Sequence, residues 1–120
     1  MIEDVRKFLE AFGQTTDKDN PEQGILYHRL INEEYGEFIK SRGPAPYDAN
    51  DVETLDAICD LIWVAIGYAL SRGWNIEDAF KEVARSNMSK LGSDGKPIRR
   101  ADGKILKPDT WSPPDLKKFL

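Results

Sequence analysis

A chain of 120 residues, 40% hydrophobic and 32% charged, has enough apolar material for one domain with a modest core rather than two. Its formal net charge of -4 argues against a general affinity for phosphate backbones, which requires clustered Lys and Arg, so no nucleic-acid partner is expected. The lone Cys59 cannot form an internal disulfide, the start Met1-Ile2-Glu3-Asp4 is too acidic for an export signal, and the apolar run 61–70 is shorter than the roughly 20 residues of a membrane span; together these point to a cytoplasmic protein with no membrane partner.

Periodicity and caps predict four helices and a tail. Residues 1–12 carry Ile2, Val5, Phe8, Leu9 and Phe12 at helical spacing and stop at Gly13. After a polar loop, Asn20-Pro21 supplies an N-cap and a first-turn proline for a second helix reaching about Arg42, where Gly43-Pro44-Ala45-Pro46 breaks it. Asn50, with Glu53 three residues on, resembles a capping box opening a third helix that ends near Arg72-Gly73. Asn75 caps a fourth, in which Ile76, Phe80, Val83, Ala84, Asn87, Met88 and Leu91 share one face. The tail, 92–120, is rich in Gly, Pro and Lys, and Asp102-Gly103 reads as a hairpin turn between Ile98-Arg99-Arg100 and Lys104-Ile105-Leu106. Its Ile98, Ile105, Leu106, Trp111, Leu116 and Phe119 predict that it wraps over the helices. The whole reads as a single domain: an all-α core over 1–91 followed by an irregular tail.

Carboxylates carry the chemistry. On the second helix, Glu34 and Glu37 project into the stripe of Leu26, Tyr27, Leu30 and Phe38, while Lys40 and Arg42 lie off it. An inward carboxylate needs a cation, donors or a proton. The third helix is apolar nearly all round from Leu55 to Leu70, the mark of a buried helix, yet Asp56 and Asp60 sit four apart on one line with Glu53 a turn earlier. No Lys or Arg occurs between Arg42 and Arg72, so local salt bridges are not on offer. Two such clusters facing one another would suit magnesium, with manganese as a substitute, because hard divalent cations take oxygen ligands. With one histidine, His28, and one cysteine, softer metal sites and Cys-His or Ser-His-Asp nucleophiles lack their parts, which leaves metal-activated water. Opposing charge follows in Asn87, Lys90, Lys104 and Lys107, a setting suited to phosphoryl chemistry.

These residues resemble the all-α nucleoside triphosphate pyrophosphatases that include MazG, phosphoribosyl-ATP pyrophosphohydrolase and the dimeric dUTPases. Glu33-Glu34-x-x-Glu37 is similar to the family's first acidic motif, and Asp60-Leu61-Ile62-Trp63-Val64 to the run beginning at the aspartate of its second. The nearest likeness is to the MazG-like branch, in Glu82-Val83-x-Arg85-x-Asn87-Met88-Ser89-Lys90 and Arg100-Ala101-Asp102-Gly103-Lys104-x-x-Lys107-Pro108. One departure stands out: Ala57 occupies the position of the second motif's glutamate, so Asp56 or Glu53 must substitute. The resemblance implies a four-helix bundle, a homodimer or dimer of dimers, and hydrolysis of a nucleoside triphosphate to monophosphate and pyrophosphate. It implies Glu34, Glu37, Asp56 and Asp60 as magnesium ligands and Glu33 as the group that orients or deprotonates water. Asn87, Lys90, Lys104 and Lys107 would hold phosphates or sugar, and Gln14 would reach the base. The competing expectations are a non-catalytic nucleotide-binding module and a purely structural helical dimer.

Overall fold

A computed structural model describes residues 1–41 and 50–120. The expected helix breaker at 43–46 and the helix end at Arg42 lie outside the described residues. The fold is all-α, as the periodicity predicts: α1 (Ile2–Ala11), α2 (Pro21–Ser41), α3 (Asp51–Ser71) and α4 (Ile76–Met88) precede a two-stranded antiparallel hairpin, β1 (Ile98–Arg99) with β2 (Ile105–Leu106), and a closing 3-10 turn at Lys117–Phe119. Two compact units are present, Met1–Ile76 and Glu77–Leu120.

In the first unit, α2 and α3 pack along their length and α1 lies against α3. Val5 and Leu9 of α1, Tyr27 of α2, and Val64, Ile66 and Leu70 of α3 form its buried core, with Leu30, Ile31, Trp63 and Ile76 packed around them. Contact between α2 and α3 is closest where Tyr27 lies on Gly67, because a Cβ there would fall on the tyrosine ring. The Tyr27 hydroxyl donates to Gln14 Oε1 at 2.6 Å, and burial raises its pKa.

Caps form as the sequence dictates. Asn20 Oδ1 accepts from the Gln23 N–H at 3.2 Å to start α2. Beyond α3, Gly73 adopts φ +69 while Trp74 N–H reaches back to the Ala69 carbonyl at 3.0 Å, and a Cβ at Gly73 would meet the Lys18 backbone at 2.8 Å. The loop from α1 is tied down by Gln23, whose Nε2 donates to Ser71 Oγ and to the Thr15 carbonyl at 2.8 Å each. Gln23 and Ser71 are buried, so this bonding supplies the partners that their desolvation demands.

Two expectations about burial are corrected. Apolar on nearly every side, α3 is nonetheless only partly buried: Leu55, Ile58 and Ile62 are 62%, 39% and 43% exposed, and Cys59 is exposed too. These positions repeat at three and four residues, so they form one uncovered stripe along its first half. Phe8 of α1 and Phe12 just beyond it are likewise exposed, with the Phe8 ring edge-on to Trp63 at 5.5 Å. By length and composition α3 would be long enough to cross a bilayer, a property it shares with the core helices of many globular proteins.

In the second unit, the apolar face read for α4 is not its covered face. Phe80 and Met88 are exposed, whereas Ser86 is buried. Ser86 Oγ donates to the Ser112 carbonyl at 2.8 Å, Arg85 Nη1 donates to Ser112 Oγ at 2.9 Å, and Asp115 N–H donates to Glu82 Oε1 at 3.1 Å. Part of the tail is thus laid along α4 by polar bonds rather than by the apolar wrapping its composition suggests. The Arg85 hydrogen bond, aided by the Asp115 N–H, holds the Glu82 carboxyl down to about 2. The hairpin has the expected register, Ile98 opposite Leu106 and Arg99 opposite Ile105, with both strands exposed.

Candidate active site

Antiparallel packing of α2 on α3 brings the last two turns of α2 beside the first three turns of α3. Ser41 Oγ lies 3.1 Å from Thr54 Oγ1 and the Asn50 N–H donates to the Ser41 carbonyl at 3.2 Å, which pins this end of the pair. Carboxylates from both helices then meet. Glu34 is half-buried, on the side of α2 that bears Tyr27 and Phe38. Its pKa is raised, first by burial, then by the charge of Glu37 and a hydrogen bond with it, then by Asp60 and Glu33. Asp60 is raised by partial desolvation first, followed by the charges of Asp56 and Glu37. Four of the expected ligands, Glu34, Glu37, Asp56 and Asp60, therefore feel one another across the helix pair, with Glu33 at the edge.

The expectation that these carboxylates point into the core needs adjustment. Glu34 alone is partly enclosed; Glu33, Glu37, Asp56 and Asp60 are exposed in the single chain, because the face of α3 that bears Asp56 and Asp60 opens to solvent in its first half. Glu34 Oε2 is a buried acceptor with no hydrogen-bond partner among the described residues. Such an atom is costly to leave unsatisfied, and a cation or a proton is what it lacks. No three His, Cys, Asp or Glu side chains among the described residues form a ready-made metal cage. The donors are all oxygens, which matches a hard divalent ion bound through a few carboxylates with water and phosphate completing its shell.

Glu53 has more freedom than its position predicts. Asn50 Oδ1 accepts from the Glu53 N–H at 3.2 Å, but the Asn50 N–H is taken by Ser41, so the reciprocal half of a capping box is not made. The Glu53 side chain instead lines a groove of about 460 Å³ with Glu37, Lys40, Ser41, Asp56 and Ala57. Lys40, which helical spacing seemed to place off the acidic stripe, belongs to this groove. The signal was its spacing of three from Glu37, which puts both on one side of α2.

The remaining candidates have other neighbours. Gln14 is held by Tyr27, which engages its side-chain oxygen. In the second unit, Lys90 Nζ donates to Asn87 Oδ1 at 3.1 Å, Lys107 Nζ sits 4.2 Å from the centre of the Trp111 ring, and Lys104 is exposed beside the Asp102-Gly103 turn.

An all-α chain whose packed helix pair brings Glu33-Glu34-x-x-Glu37 beside Asp56 and Asp60 gathers oxygen donors from two helices. The family model described as phosphoribosyl-ATP pyrophosphohydrolase matches residues 5–87, well over half of the chain, and the chain belongs to this family of the MazG-like superfamily. It is a pyrophosphohydrolase of nucleotide-like substrates, a class that generally uses divalent metals. No curated protein matches the chain.

Proposed function

We propose that this protein hydrolyses a ribo- or deoxyribonucleoside triphosphate, or a phosphoribosylated one, to the monophosphate and pyrophosphate with magnesium, acting on the cytoplasmic nucleotide pool. The observation that carries the reading is Glu34 Oε2, a buried acceptor with no partner among the described residues, set beside carboxylates whose charges, after burial, raise the pKa of Glu34 and Asp60. Glu34, Glu37, Asp56 and Asp60 would hold magnesium, or manganese in its place. When bound, the ion supplies positive charge to the phosphates and makes water more acidic. Glu33, next to Glu34 and exposed, orients the attacking water or accepts its proton. Asn87, Lys90, Lys104 and Lys107 neutralise phosphates or hold the sugar, and Gln14 contacts the base. A panel of nucleoside triphosphates and phosphoribosyl-ATP, assayed for released pyrophosphate with and without magnesium, tests the reading; a panel with no turnover would favour a non-catalytic nucleotide-binding module.

With Ala57 at the family's glutamate position, two carboxylates compete to replace it. Asp56 lies one turn from Asp60 and raises its pKa, whereas Glu53 does not figure among the charges that do so. Asp56→Ala is therefore expected to raise the magnesium concentration for half-maximal turnover by about 10-fold, and Glu53→Ala by less, on the scale of losing one ligand or its support. A magnesium titration of both variants checks the order.

We also propose a homodimer or dimer of dimers. The stripe of Leu55, Ile58 and Ile62 on α3 is the apolar surface that a second copy would cover, and a chain this short gains core by doing so. Ile58→Glu is expected to yield monomers in sedimentation velocity at concentrations where the wild type is oligomeric; an unchanged distribution would move the interface elsewhere.

A further inference from the structure

Among the described residues, Lys40 is the one Lys or Arg side chain lining the groove formed by Glu37, Ser41, Glu53, Asp56 and Ala57. It sits three residues after Glu37 and directly before Ser41, whose hydroxyl and carbonyl fasten the end of α2 to the start of α3 through Thr54 and Asn50. The base of the Lys40 side chain is thereby fixed while its long stem stays exposed. Despite three carboxylates in the same groove, Lys40 forms no ion pair with any described residue, so its ammonium is not consumed by the acidic wall. Ala57 keeps the groove floor small where a glutamate would add a further negative charge.

An acidic groove repels a polyphosphate. Metal ions offset the carboxylates, but a phosphate chain extending past them toward Glu53 needs positive charge of its own. From these positions we infer that Lys40 is a phosphate-binding residue, holding the pyrophosphate part of the substrate at the outer end of the groove. The inference rests on the proposed nucleotide pyrophosphatase reading and assigns a role to a residue outside the two acidic motifs. Lys40 contributes a point charge and up to three donors on a flexible stem, which suits a leaving group that must depart.

Calorimetric titration of magnesium pyrophosphate into the full-length protein tests this. The wild type binds; Lys40→Met weakens binding ~10-fold, the scale of one charge-assisted hydrogen bond, and flattens the salt dependence, while Lys40→Arg stays within about 3-fold of the wild type. Thermal melts of both variants, expected to match the wild type, separate this from misfolding. Lys40→Met binding as tightly as the wild type, with Asp60→Asn binding weakly, would overturn the role of Lys40 and leave the site reading intact. Equal binding by wild type, Lys40→Met and Asp60→Asn would overturn both.

Discussion

Asp60→Asn is expected to cut magnesium-dependent turnover at least about 100-fold, equivalent to ~2.7 kcal/mol of transition-state stabilisation, while leaving the helices intact. The substitution keeps shape and removes charge. Without metal, Asp60 is a liability: burial, Asp56 and Glu37 all raise its pKa, so the folded state disfavours the ionised form. The sign follows from linkage. A carboxylate with a raised folded pKa contributes stability that is fully present below its unfolded pKa and lost as pH climbs through the folded one. Glu34 behaves in the same direction. The metal-free wild type should therefore melt at lower temperature as pH rises through the upper carboxylate range, and Asp60→Asn should flatten that decline and hold or raise the melting temperature at neutral pH. Magnesium should restore the wild type by binding only the native state, and do so far less for the variant. Calorimetric melts across pH, with and without magnesium, read all of this. Near-normal turnover in Asp60→Asn would remove Asp60 from the site.

Gly67→Ala should destabilise the first unit by roughly 2 kcal/mol, lowering the melting temperature by roughly 8 °C. Helix propensity alone argues the opposite, since replacing a helical glycine with alanine gains about 1 kcal/mol. Sterics win at this position. The new methyl would lie against Cε1 of Tyr27 and 2.6 Å from Cδ1, and the buried Tyr27 ring has little freedom to retreat because its hydroxyl is bonded to Gln14. The result is a wedge between α2 and α3, two turns from Asp60, so magnesium affinity should weaken as well. Gly36→Ala is the control, because a Cβ there meets nothing within 4 Å among the described residues, and it should gain stability. A stabilised Gly67→Ala protein would show that the α2–α3 contact is looser than the Tyr27–Gly67 packing implies.

The sequence disclosed the elements whose signals are local. Asn20 and Asn50 cap their helices, Gly73 terminates α3, and Asp102-Gly103 turns the hairpin, because each signal acts within a few residues. The acidic positions were legible for a similar reason: helical geometry alone places Asp56 and Asp60 on one line. What periodicity cannot say is which neighbour covers which face. On α3 the apolar residues surround the helix, so nothing in the pattern marks Leu55, Ile58 and Ile62 as the uncovered side. On α4 the pattern nominated Phe80 and Met88, whereas polar bonds from the tail cover Ser86. Helical spacing set Lys40 off the acidic stripe and left Glu53 between cap and ligand, because their setting depends on how the two helix ends are pinned. The Asn50 N–H bond to Ser41, which releases Glu53 from a capping box, joins residues on different helices.

In the proposed function, the carboxylates of α2 and α3 serve cleavage of a nucleotide between its first two phosphates. Product analysis on the best substrate of the panel, resolving nucleoside monophosphate, nucleoside diphosphate, pyrophosphate and orthophosphate, tests it most directly. Monophosphate and pyrophosphate are expected in equal amounts, formed only with a divalent cation and lost in Asp60→Asn; diphosphate with orthophosphate, or products that persist in Asp60→Asn, would refute this assignment.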